Sequence, residues 1–215
     1  MRKFTFPALL LCFGLLAQTA PLAFLAFDTR AAQPGRLPDG WRIKLTAGTP
    51  DVSVIGDGQG YVLRMKSRSA SFGVERGVDI DVSKFPYLDW KWKVAELPRG
   101  GDFRHSRTDD QAAQVLIVFS DRRVLSYIWD STAPKDTVQS ASNIPLVHIF
   151  AFVCRSGAAD LNQWVTESRN VAADYSRAYG HPAPNVKGIR LQINSQHTGT
   201  EAESYFGDVA FRSAP

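Results

Sequence analysis

Two adjacent carboxylates, Asp109 and Asp110, lie between the polar loop RGGDFRHSRT and the apolar run QAAQVLIVF. Such a pair can ligate a metal or supply part of an acid/base couple. On a strand, neighbouring residues point to opposite faces, so both serve one site only if the loop turns them together. The plainer reading is a solvated turn, or ion pairs with Arg104 and Arg107. Asp110 abuts the apolar strand and is the stronger candidate. Further along, Glu167 and Arg169 share a strand face, Asn170 follows, and Asp174 lies in the next segment. An arginine offers a planar donor fork to carboxylates or vicinal hydroxyls. An internal bridge from Arg169 to Asp174 or Asp110 would use the same chemistry for structure alone. Asp110, Glu167 and Asp174 together hold the two carboxylates that glycoside hydrolysis needs.

Aromatic and histidine side chains are the other candidates. Trp129 ends the run LSYIWD beside a long loop, where a ring can stack on a sugar, or pack in the core or at the rim. His105, His148, His181 and His197 show no metal-ligand spacing. His148 lies in the apolar run LVHIFAF and reads as a packed residue. His197, in QHTGTE, touches either a ligand or water. Asp208 in FGDVAF could join backbone carbonyls around a structural calcium, or could hold a bend before the last strand. No GxSxG, P-loop, Rossmann glycine pattern or HExxH is present, so those reaction classes have no motif here.

Elements must position these residues. The chain has 215 residues, 44% hydrophobic and 21% charged, enough for one domain with a real core. Residues 1–3 carry Arg2 and Lys3, and 4–27 carry no charge: the form of an export signal, with processing expected after Ala31, or of a retained anchor. Either places the remainder outside the cytoplasm, periplasmic or otherwise extracytoplasmic, with membrane contact only through 4–27. Leu9–Leu10–Leu11 before Cys12 do not suit lipid attachment. Without Arg2, Lys3, Arg30 and Asp28, 22 basic and 20 acidic residues remain, a balance of +2 with no basic cluster, which argues against nucleic acid as partner. Cys154 is then the one remaining cysteine, in the apolar run IFAFVC, so no disulfide supports the domain.

Residues 32–40 (AQPGRLPDG) read as a linker, and 41–215 as a single domain. Period-two alternation predicts strands at 41–46, 61–67, 71–76, 87–96, 112–120, 124–129, 146–154, 164–170, 188–194 and 204–211. Only 171–179 (VAADYSRAY) reads as a helix, closed by Gly180 and Pro182. About ten short strands and one helix predict an all-β, antiparallel β-sandwich. In LDWKWKV, Leu88, Trp90, Trp92 and Val94 share one face, and Asp89, Lys91 and Lys93 the other. The tryptophans are therefore expected in the core, and the lysines face solvent or a polar groove.

The segments FPYLDWKWKVAELPRGGD, DDQAAQVLIVF, LSYIWD, WVTESRNVAADYSRAYGHPAP and SYFGDVAF resemble, in order, the DUF3047 family of exported bacterial proteins of unknown function. The resemblance departs at Gln114, where the family usually carries Arg, so any charged-pair role of that Arg is absent here. DVSKFPYLDWKWKV, WVTESRNVAADY, VKGIRLQIN and SYFGDVAF are also similar to galactose-binding-like jelly-roll modules. That second similarity implies a jelly-roll, commonly non-catalytic, with a carbohydrate ligand and often a structural calcium. The expected function is a non-catalytic module for a cell-envelope saccharide, using Asp110, Trp129, Arg169, Asn170, Asp174 and His197, with Asp208 for calcium. The alternatives are a glycan-active enzyme with paired carboxylates, and a structural or protein-interaction component of the envelope.

Overall fold

The computed structural model describes residues 23–58, 60–141 and 148–215. Among these residues, thirteen strands form two facing sheets, an antiparallel-rich β-sandwich of jelly-roll type, with one helix beside them. The strands are β1 (Ala23–Phe27), β2 (Trp41–Ala47), β3 (Asp51–Gly56), β4 (Tyr61–Arg68), β5 (Ser71–Ile80), β6 (Tyr87–Glu96), β7 (Ala113–Phe119), β8 (Arg123–Asp130), β9 (Val138–Ser140), β10 (His148–Ser156), β11 (Val165–Asn170), β12 (Val186–Asn194) and β13 (Glu201–Arg212). The helix α1 spans Val171–Tyr179, as the pattern predicts. Asn170 caps its start by accepting from the Ala173 N–H at 2.9 Å, and Gly180 ends it in the left-handed region.

The six-stranded sheet runs β11-β6-β13-β4-β3, with β1 also on β13. β13 meets β6 along one side. On its other side it meets β4 over Glu201–Phe206 and then β1 over Val209–Arg212. The register on β6 shifts between Phe206 and Val209, so Gly207 and Asp208 form a bulge where β13 changes partner. The seven-stranded sheet runs β2-β5-β12-β7-β8-β10-β9. Its pairs are antiparallel except β8 with β10, joined by a connection that includes β9.

Alternation decides what lies between the sheets. Leu88, Trp90, Trp92 and Val94 are buried, and Asp89, Lys91 and Lys93 take the outer face. Trp90 stacks on Tyr127 at 5.2 Å between ring centroids and meets Trp92 edge-on at 5.3 Å. β8 departs from simple alternation: Ser126, Ile128 and Asp130 are buried as well as Leu125, Tyr127 and Trp129. The 97–112 loop and the segment after β8 explain this, because Phe103 and Ala133 cover Ile128, Ala151 and Val153 in a small second apolar cluster.

Three strands have no counterpart in the predicted set: β1, β3 and β9. The expected boundary at residue 31 falls inside the folded unit. Phe27 is buried edge-on against Trp41, and the Ala26 carbonyl accepts from both Trp41 Nε1 and Arg76 Nη1. The expected linker 32–40 begins with buried Ala32. Most of the expected leader, and the first two residues of the strand predicted at 146–154, lie outside the described residues. Among the described residues no helix is long and apolar enough to cross a membrane.

Candidate functional site

A groove of about 450 Å³ opens on the outer face of the six-stranded sheet, where β13 exchanges β4 for β1. Chain geometry explains its position. Gly207 and Asp208 bulge from β13, Thr29 and Arg30 follow β1, Gly60 and Val62 open β4, and Asp57 lies in the turn after β3. A Cβ on Gly60 would come within 2.9 Å of the Thr29 carbonyl, and one on Gly207 within 3.1 Å of Lys91 Cβ. Both positions suit a residue without a side chain. Lys91 comes from the outward face of β6, and Trp164 stands just before β11.

Trp164, Asp57 and Asp208 are held in place. Trp164 Nε1 donates to Asp57 Oδ2 at 2.8 Å. Lys93 Nζ lies 5.1 Å from the Trp164 ring centroid and 4.4 Å from that of Tyr205, a double cation–π contact behind the groove wall. Asp208 Oδ1 accepts from the Thr29 N–H at 2.7 Å and from its hydroxyl at 2.8 Å. The groove thus combines a half-buried indole, two carboxylates, an ammonium and the Arg30 guanidinium. An indole face takes the apolar face of a flat ligand, while carboxylates and an amine take hydroxyls. Trp164, Asp57 and Lys91 were not among the expected site residues. The outward position of Lys91 beside two inward tryptophans was the signal that could have found it.

Asp208 faces this groove, but its setting does not fit calcium. Its Oδ1 already accepts an N–H and an O–H, whose protons repel a cation, and Lys91 adds a positive charge to the same groove. Among the described residues, no three His, Cys, Asp or Glu side chains converge as a metal site. Calcium takes six to eight oxygens.

The other expected site residues have structural placements. Trp129 is a correction: it is fully buried, edge-on to Trp92 at 5.9 Å, and donates from Nε1 to the Gly157 carbonyl. Its strand face points between the sheets, so it presents no ring to a sugar. Arg169 makes two bonds to Asp174, at 2.9 and 2.7 Å, and lies over the rings of Tyr127 and Phe152. Tyr127 completes the set by donating to Asp174 Oδ2. This is the internal bridge, and it closes the core beneath α1. Asn170 is occupied as the helix cap. Glu167 accepts from Arg155 Nε at 2.7 Å. Asp110 is buried and accepts the N–H groups of His197 at 3.2 Å and Thr198 at 2.6 Å, a clasp on the loop before β13. His197 Nδ1 lies 3.0 Å from the Asp109 carbonyl oxygen. Asp110, Glu167 and Asp174 are therefore each committed to a structural partner, and none lines the groove.

The fold is similar to two solved glycosidase domains. One is the xyloglucanase domain of NopAA, a type three effector from Sinorhizobium fredii, in complex with cellobiose: 11% identity, TM-score 0.50, 89% of this chain and 99% of that one. The other is endoglucanase cel12A from Rhodothermus marinus: 9% identity, TM-score 0.50, with the same coverage. A xylan-binding module, CBM15, matches at 11% identity and TM-score 0.46 over 91% of this chain and 98% of that one. At such identities the likeness is one of architecture. No curated protein matches the sequence. A family model matches residues 39–210, and the chain belongs to that family, DUF3047, described as a protein of unknown function.

Proposed function

We propose that this protein is an exported, non-catalytic module that binds a saccharide in the groove beside Trp164. The observation that carries the reading is the fixed indole on a groove of about 450 Å³ lined by Asp57, Asp208 and Lys91. A sugar ring lies on the indole, and its hydroxyls reach the carboxylates and the amine. Fixing the ring before binding lowers the ordering cost of the complex. The basic start and uncharged run of 4–27 support export, which brings the module to envelope glycans.

Calorimetric titration with envelope-type and plant-type oligosaccharides tests the reading on wild type and Trp164→Ala. Binding to the wild type and its loss in the folded variant are the expected results. Equal binding by both would move the site elsewhere. Assaying the same mixtures for new reducing ends tests the enzymatic alternative, because Asp57 and Asp208 face one groove. Their loss-of-function variants Asp57→Asn and Asp208→Asn would abolish any turnover.

A further inference from the structure

We infer that the outer face of the seven-stranded sheet holds a second, separate site, which takes a neutral hydroxyl-bearing group such as the hydroxymethyl end of a sugar or a small polyol. A cavity of about 120 Å³ lies over β7, β8 and β12, lined by the polar Ser126, Gln114, Gln192, Asn194 and Asp109 and by apolar residues including Ile128. Ser126, which lines this cavity, is 3% exposed, and its Oγ has no hydrogen-bond partner. A buried hydroxyl left unpaired is costly, so its presence at a cavity wall points to a group that completes it.

The neighbouring amides are pre-arranged. Gln114 Nε2 donates to Asn194 Oδ1 at 2.7 Å, Asn194 Nδ2 to the Asp109 carbonyl at 2.7 Å, and the Gln111 N–H to Asn194 Oδ1 at 2.9 Å. These bonds fix the amide planes, so the cavity is a built polar surface. Ser, Gln and Asn side chains both donate and accept, as a hydroxyl does, and Asp109, bonded by Gln111 Nε2 at 2.9 Å, adds a carboxylate that accepts from a hydroxyl. The volume admits a few heavy atoms, which suits the end of a ligand better than a whole disaccharide. Gln114 belongs to this wall.

Glycerol and methyl β-D-glucoside are the probes, followed by NMR on the side-chain amide protons of Gln114 and Asn194 in the full protein. Both probes are expected to shift these signals saturably in wild type and in Trp164→Ala, because this cavity does not involve the first groove. Ser126→Val, which suits a strand and fills the space, is expected to weaken the effect tenfold or more. Gln192→Leu at the half-exposed rim provides the same readout should Ser126→Val not fold. Unmoved signals with both probes, or full binding by the folded variants, would overturn the inference and leave an ordered water as the partner of Ser126. Loss of oligosaccharide binding in Trp164→Ala with these shifts intact would separate the two sites.

Discussion

The indole N–H of Trp164 donates to Asp57 Oδ2 at 2.8 Å, and this bond ties the start of β11 to the turn between β3 and β4. It joins strands at opposite sides of one sheet, across β6, β13 and β4. The ring is thus held as a wall by a residue 107 positions away in sequence. Asp57→Ala is expected to loosen the ring and weaken saccharide binding several-fold, while Asp57→Asn, which keeps an acceptor, retains most of it. Isothermal titration of the two variants separates a positioning role from a direct one: a direct ionic contact would be lost in both.

Trp129 and Trp164 should behave as opposites. Trp129 is fully buried beside Trp92, so Trp129→Ala leaves a large cavity and costs about 3–5 kcal/mol of stability. Trp164 is half-buried, and Trp164→Ala should cost far less while removing ligand affinity. Guanidinium unfolding of both variants, beside titration of whichever remain folded, checks the contrast. A stable Trp129→Ala with impaired binding would restore the exposed-ring reading of that residue.

The contrast shows what the sequence made legible. Alternation in LDWKWKV was enough to put Trp90 and Trp92 inside, because a strand with one apolar face has one way to bury it. The same rule applied to LSYIWD correctly grouped Leu125, Tyr127 and Trp129 on one face, but a strand end is not necessarily a sheet surface. Asp110 and Asp174 looked chemical because carboxylates near apolar runs are unusual, yet buried carboxylates also serve to satisfy loop N–H groups and arginines. The groove beside Trp164 could not be read locally. Its walls come from five separate segments, brought together by the bulge at Gly207 and Asp208 and by the change of partner on β13.

Asp102 gives the stability a predictable acid limb. Arg104 binds both its oxygens, at 2.8 and 2.6 Å, and the Arg104 N–H and Thr132 hydroxyl add further bonds. Chiefly through the Arg104 guanidinium, the carboxyl is held well below the usual carboxylate range. A lowered folded value means the unfolded chain takes up the proton first as pH falls. The contribution is complete above the ordinary carboxylate pKa and is lost as pH drops through the lower, folded one. Asp102→Asn is therefore expected to be less stable than wild type near neutrality and to lose less on acidification. Melting temperatures across an acid series measure this; parallel curves for the two proteins would remove Asp102 from the account.

Cys154 should be silent in the native state. It is buried, and burial pushes its thiol well above the ordinary value, with Glu167 next in effect. The thiolate is the reactive form, so a disulfide reagent is expected to label it only as fast as the protein opens. Labelling without denaturant at the rate of a free thiol would show that β10 exposes this residue. Denaturant should accelerate the reaction in step with loss of tryptophan burial.

The N-terminal edge of the domain makes the last prediction, and it concerns export as well as folding. Strand β1 pairs with the end of β13, buries Phe27 against Trp41, and supplies the Ala26 carbonyl to Trp41 and Arg76. Thr29 then binds Asp208 and Arg30 joins the groove wall. A chain beginning at residue 32 loses all of these. Burial of Phe27 alone is worth about 1.5–3 kcal/mol, and the unpaired Ala26 partners add to the loss. Such a chain is expected to melt well below one beginning at residue 21, and to bind saccharide weakly because the groove has lost a side. On the proposed export, cleavage is expected ahead of residue 23, which mass spectrometry of the mature N-terminus would read directly. A mature chain starting at 32 and melting like the longer one would make β1 dispensable and move the domain boundary back to where the small residues before it suggest.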